Sequence, residues 1–133
     1  MAEKANSALV RELVDGFNAG DRERLIGLLS EDAEIRTIRS ELEGRPYIGP
    51  GGMRQALEDW DKEWEFVRFV VGDTHESGRF VVQDLRVQAK GLASGVELDV
   101  PIWMLWEFKG DRILRLQSYS QREAAFEEAG ISD

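Results

Sequence analysis

The sequence predicts an α+β fold in which N-terminal helices cover one face of a curved, mainly antiparallel sheet. Three observations predict it. Apolar residues recur at helical spacing as far as Trp64, the period changes to β-branched and aromatic strands from Glu65 onward, and strand and helix never alternate as βαβ units. A chain of 133 residues suffices for one domain, taken as residues 1–133, and carries no linker, internal repeat or low-complexity stretch.

Leu9, Val10, Leu13, Val14 and Phe17 form the apolar stripe of a first helix, which Gly20 ends and after which Asp21 offers a new N-cap. Leu25, Ile26, Leu28 and Leu29 carry a shorter second helix. Residues 33–39 read as extended, with Ile35 and Ile38 apolar, before a loop punctuated by Gly44, Pro46, Gly49, Pro50, Gly51 and Gly52. Met53, Leu57, Trp60 and Trp64, at steps of four, three and four, mark a third helix. Strands follow at 66–71, 79–90, 96–109 and 112–120, with turns at 72–78, 91–95 and Gly110-Asp111. Residues 121–129 close the chain as a helix with Gly130 as its C-cap.

The stretch PIWMLWEF is apolar on both strand faces. Ile102, Met104, Trp106 and Phe108 alternate with Trp103 and Leu105. If helices cover the concave face, the outer face of so short a chain needs another cover, and a second subunit supplies one.

Composition narrows the partners. The 26 acidic against 17 basic side chains give a net charge of -9, which opposes nucleic acid and anionic membranes. No cysteine is present for disulfides or thiolate metal sites, and the single histidine, His75, lacks neighbours at metal-ligand spacing, so neither a metal nor another cofactor is implied. With no signal-peptide pattern and no apolar run near ~20 residues, a soluble cytoplasmic protein is expected.

The run LVDGFNAGDRERLIGLLSEDAEI, the loop RPYIGPGGMRQAL and the ending GDRILRLQSYSQREAAFEEAG resemble the nuclear transport factor 2-like superfamily, specifically its SnoaL-like branch. The resemblance covers roughly residues 7 to 130. It implies a cone-shaped, cystatin-like mixed sheet, a pocket between the helices and the concave face, and a homodimer packed through sheets. Ketosteroid isomerases, polyketide cyclases, epoxide hydrolases and dehydratases share this fold, so individual positions must decide the chemistry.

Ketosteroid isomerisation needs a carboxylate base, a Tyr and a protonated acid. The resemblance puts these roles at Thr37, Leu13 and Met104, none of which supplies the group. Epoxide hydrolysis needs Asp-Arg-Asp; the nearest candidates are Asp84 and Arg86, two apart on one strand face, with the third position falling near Ser118. Against a role in the pocket, Val81, Leu85, Val87 and Ala89 make the opposite face the better core face. His75 can titrate near neutral pH but sits in DTHESG, which reads as an exposed turn.

The register implied by the resemblance turns Ile102, Met104, Trp106, Phe108, Leu114, Leu116, Ser118 and Ser120 inward. Trp103, Leu105, Arg115, Gln117 and Tyr119 face the partner subunit. Thr37, Tyr47, Trp60 and Trp64 complete the expected pocket wall. Such a wall, apolar apart from hydroxyls, suits a hydrophobic small molecule. The leading reading is therefore a small-molecule-binding protein. Rival readings are an isomerase, cyclase or epoxide-hydrolase-like enzyme using Asp84, Arg86 or His75, and a homodimeric interaction module whose core is filled.

Overall fold

A computed structural model describes residues 6–132, apart from the side chains of residues 38, 39 and 41. The elements run α1 (Asn6–Asn18), α2 (Glu23–Leu28), β1 (Leu29–Arg36), α3 (Ile38–Glu43), β2 (Tyr47–Ile48), α4 (Gly49–Glu63), β3 (Trp64–Ser77), β4 (Phe80–Gly91), β5 (Glu97–Lys109), β6 (Arg112–Tyr119) and α5 (Arg122–Ala129). They build the expected α+β architecture, a six-stranded sheet in the order β2-β1-β6-β5-β4-β3. Among the described residues, only the β1–β6 pair is parallel.

The 3.6-residue stripe of α1 buries Val10, Leu13, Val14 and Phe17 against the concave face, and α4 adds Met53, Ala56 and Leu57. Asn18 fixes the end of α1 to the sheet: its Nδ2 donates to the Phe69 carbonyl at 2.7 Å, and the Phe69 N–H donates to its Oδ1 at 3.0 Å. That clip holds Phe69 under the helices. Asp21 accepts from the Arg24 N–H at 3.4 Å, a long capping bond at the start of α2.

Several boundaries differ from the sequence expectation, each for a local reason. The expected loop before the third helix contains α3 and β2, and α4 starts at Gly49, with Pro50 in its first turn where a missing N–H costs nothing. Ile38 opens α3 rather than continuing β1, and its side chain lies outside the described ones. Trp64 is not on the helical stripe, because α4 ends at Glu63 and Trp64 begins β3 with extended dihedrals.

The expected turn at 72–78 is mostly strand. β3 passes through it to Ser77, absorbing Gly72 and Asp73 in a bulge between Val71 and Thr74. The chain reverses instead at Gly78-Arg79, where Gly78 has φ 58°, the left-handed conformation a two-residue hairpin requires at its first central position. A second shift lies in β5–β6. Glu107 pairs with Arg115 but Phe108 pairs with Ile113, so the fully buried Ile113, not Leu114, is the inward residue.

The outer face of the sheet is covered in part by the chain itself. α5 lays Ala125, Phe126 and Ala129 over Val82 and Leu105, and Leu105 is completely buried. α5 thus supplies part of the cover that the sequence reading assigned to a second subunit. Trp103 and Tyr119 pack at the edge of this cluster and remain half-buried.

Candidate functional site: an apolar chamber and its vestibule

The concave face of a curved sheet cannot be filled by straight helices along its whole length, and here a chamber of about 50 Å³ remains. α1 contributes Leu13, Val14 and Phe17, α4 contributes Met53, Ala56, Leu57 and Trp60, and the sheet contributes Ile35, Phe69, Leu85, Met104, Trp106 and Leu116. Phe17, Trp60 and Phe69 form an aromatic triangle with centroids 5.5 to 6.2 Å apart.

Beside the chamber, a cleft of about 300 Å³ lies towards the end of the sheet where β3 begins and β4 turns into β5, walled by Trp64, Val67, Val87, Ala89, Leu98, Val100 and Ile102. Thr37, Trp60, Phe69 and Ser118 line both spaces and so mark the boundary between chamber and vestibule, called the neck below. A separate open groove that Trp60 and Trp64 also line includes Arg22, which donates two hydrogen bonds of 3.0 Å to Asp61. These bonds hold the Asp61 carboxyl below its ordinary range.

The polar groups of the chamber are few. Among the described residues lining it, the ionisable one is Arg36, whose Nε donates to Glu34 Oε1 at 2.8 Å. Trp106 carries an indole N–H, but that group donates to Gln83 Oε1 at 2.8 Å. Gln83 is fully buried, and its Nε2, like Thr74 Oγ1 on the residue paired with it, has no hydrogen-bond partner among the described residues. Trp106 therefore presents its carbon framework to the chamber.

Thr37 and Ser118 differ from these groups. β1 and β6 run parallel with Ile35 opposite Leu116 and Arg36 opposite Gln117, so continuing that register sets Thr37 beside Ser118. Thr37 Oγ1 accepts the Ser40 N–H at 3.0 Å, and Ser40 Oγ accepts the Thr37 N–H at 2.8 Å, a reciprocal cap that starts α3. The Ser118 hydroxyl donates to the Met104 sulfur at 3.6 Å, a weak acceptor.

The residues singled out in the sequence fall into three groups. Thr37, Trp60, Met104, Trp106, Leu116 and Ser118 meet at the chamber, together with Leu13, and Trp64 lies on the vestibule wall. Leu13, Thr37 and Met104, the three positions mapped from the isomerases, thus converge on one space. Tyr47 and Ser120 lie elsewhere: Tyr47 turns its hydroxyl to Asp59 Oδ2 at 2.9 Å, and Ser120 is exposed past the end of β6.

Asp84, Arg86 and His75 belong to the third group, on the outer face. His75 is not in a turn; it pairs with Val82 inside the sheet, its Nε2 lies 3.4 Å from Asp84 Oδ1, and its ring packs 4.8 Å from that of Phe126. Arg86 turns away from Asp84 and donates to Asp99 at 2.9 Å. Arg115, expected at the subunit interface, bridges Glu107 and Glu128 at 3.0 Å each.

Sequence reasoning missed Gln83, Arg36, Phe69 and Asn18. For Gln83 the signal was present: it alternates with Val81, Leu85 and Val87 on the face already identified as core. Phe69 became decipherable only through the Asn18 clip, which joins residues 51 apart.

A family model described as a SnoaL-like domain matches residues 10–116. No curated protein matches the sequence. Among solved structures, an NTF2-like protein of unknown function from Burkholderia pseudomallei superimposes with a TM-score of 0.78 at 15% identity, covering 95% of this chain and 98% of the other. TerC, crystallised with polyporic acid, gives 0.75 at 18% identity over 92% and 95% of the two chains. A putative polyketide cyclase from Pseudomonas putida gives 0.72 at 19% identity over 96% and 98%. These likenesses are likenesses of fold.

Proposed function

Because the chain belongs to the SnoaL-like domain family, we propose that it works as a small-molecule-binding protein whose ligand is hydrophobic and enters the chamber through the vestibule. The observation that carries this reading is that two apolar spaces lie side by side and share four lining residues, with the inner wall drawn from helices and sheet alike. Ligand sites are commonly apolar clefts with a few oriented polar groups, and the neck hydroxyls are such groups. Its protein partner is a second copy of the chain, joined through the part of the outer face that α5 leaves open. Trp103 and Tyr119 are half-buried there, and Val70 is 40% exposed.

A thermal-shift series tests the ligand reading. The panel holds planar and polycyclic apolar compounds and includes polyporic acid. A compound that binds only the folded chain stabilises it by about 2.7 kcal/mol at one hundred times its Kd, so the melting temperature rises. Ala56 faces the chamber from α4, and Ala56→Leu fills the space. The variant is expected to keep the circular dichroism of the wild type and to lose the shift. An unresponsive wild type across the panel, or an undiminished shift in Ala56→Leu, overturns the proposal.

A further inference from the structure

The neck has a chemistry that neither chamber nor vestibule shares, and it restricts the class of ligand. The chamber, at about 50 Å³, is too small for a ring system to enter whole, while the vestibule, at about 300 Å³, is open to solvent along one side. A ligand using both must be elongated, with a narrow apolar end inside and its broader part among Trp64, Val67 and Val100. Its middle then passes the neck.

Two hydroxyls stand there. Thr37 Oγ1 uses a lone pair to accept the Ser40 N–H, which leaves its own hydrogen to donate. The Ser118 hydrogen rests on a thioether at 3.6 Å, an acceptor that any carbonyl oxygen displaces. Neighbouring parallel strands lie about 4.8 Å apart, so one oxygen atom between these side chains can accept from both. Of the other side-chain donors at the chamber, the Trp106 indole is engaged by Gln83 and the Arg36 guanidinium by Glu34. The hydroxyl donors of the chamber wall are thus gathered at one place.

We propose that Thr37 and Ser118 form a two-hydroxyl subsite that selects elongated apolar ligands carrying an uncharged acceptor oxygen, a ketone or quinone carbonyl, partway along their length. This rests on the pocket reading above and adds to it the position and kind of the polar group.

The experiment uses two probes of nearly one shape, 2-acetylnaphthalene and 2-isopropenylnaphthalene, in which C=O is exchanged for C=CH2. Affinities are measured by tryptophan fluorescence and calorimetry. In the wild type the ketone should bind about tenfold more tightly, the worth of one or two net hydrogen bonds. Ser118→Ala should remove most of that preference, bringing the two affinities together. Thr37→Ser, which keeps both the hydroxyl and the α3 cap, should retain it. Equal binding of the two probes by the wild type, or a preference that survives in Ser118→Ala, overturns the subsite and leaves the pocket standing. Failure of both probes to bind overturns the two together.

Discussion

The pair Gln83 and Trp106 shows how one buried residue sets the character of a site it does not line. Gln83 Oε1 accepts the indole N–H, which fixes the orientation of the ring, yet its own Nε2 is left without a protein partner. A buried donor left unmade costs on the order of 1–3 kcal/mol, whereas exchanging both partners for apolar groups of similar shape is nearly neutral. Trp106→Phe and Gln83→Met should therefore each destabilise the chain, and the double variant should recover much of the loss. Urea denaturation of the four proteins in the cycle measures this; a double variant as unstable as the sum of the singles would show that the pair is not coupled. Position 83 was legible as core from strand alternation, but its amide had no visible purpose until Trp106, 23 residues away, was seen beside it.

Among the elements, those written by hydrophobic period were readable and those written by short polar contacts were not. The stripes of α1 and α4 and the Gly110-Asp111 hairpin could be read directly. α3 is a six-residue helix whose apolar residues are Ile38 and the exposed Leu42, and it starts on the Thr37–Ser40 cap, while Gly72 and Asp73 look like turn residues but are spent in a bulge of β3. The start of α4 was misplaced because Gly49, Pro50, Gly51 and Gly52 resemble a loop. In the structure Gly49 is buried at φ 70°, and a Cβ there would run into the Glu31 carbonyl of β1. This close approach seats α4, and with it Met53, Ala56 and Trp60, against the sheet. Gly49→Ala combines left-handed strain with a backbone collision that no rotamer relieves, so it should cost about 2 kcal/mol or more. Gly51→Ala, where no atom lies within 4 Å and φ is not positive, should be tolerated. Thermal denaturation of the two variants separates the cases, and equal stabilities would remove Gly49 from the account of how the chamber wall is seated.

At the scale of the molecule, the two faces of the sheet divide the work unequally. The concave face is committed to the helices and the chamber. The outer face is committed near Val82 and Leu105, where α5 forms a second apolar cluster, and is open elsewhere. The sequence showed that β5 is apolar on both sides but could not show that eight residues of C-terminal helix cover part of one side, because α5 docks on strands distant in the chain. What α5 leaves is a patch around Trp103, Tyr119, Val70 and Pro101, bordered by His75–Asp84 and Arg86–Asp99. A stable homodimer buries roughly 800 Å² on each partner, with an apolar centre and a polar rim; Val70, Pro101 and Trp103 between these two ion pairs follow that order. Sedimentation at micromolar concentration should show a two-chain species. Val70→Asp places a charge on an already exposed position, so it should yield a folded monomer with unchanged circular dichroism. Trp103→Asp should also dissociate the pair, with an added loss of stability because Trp103 packs on the α5 cluster. A monomeric wild type would mean that α5 by itself provides all the cover the outer face requires.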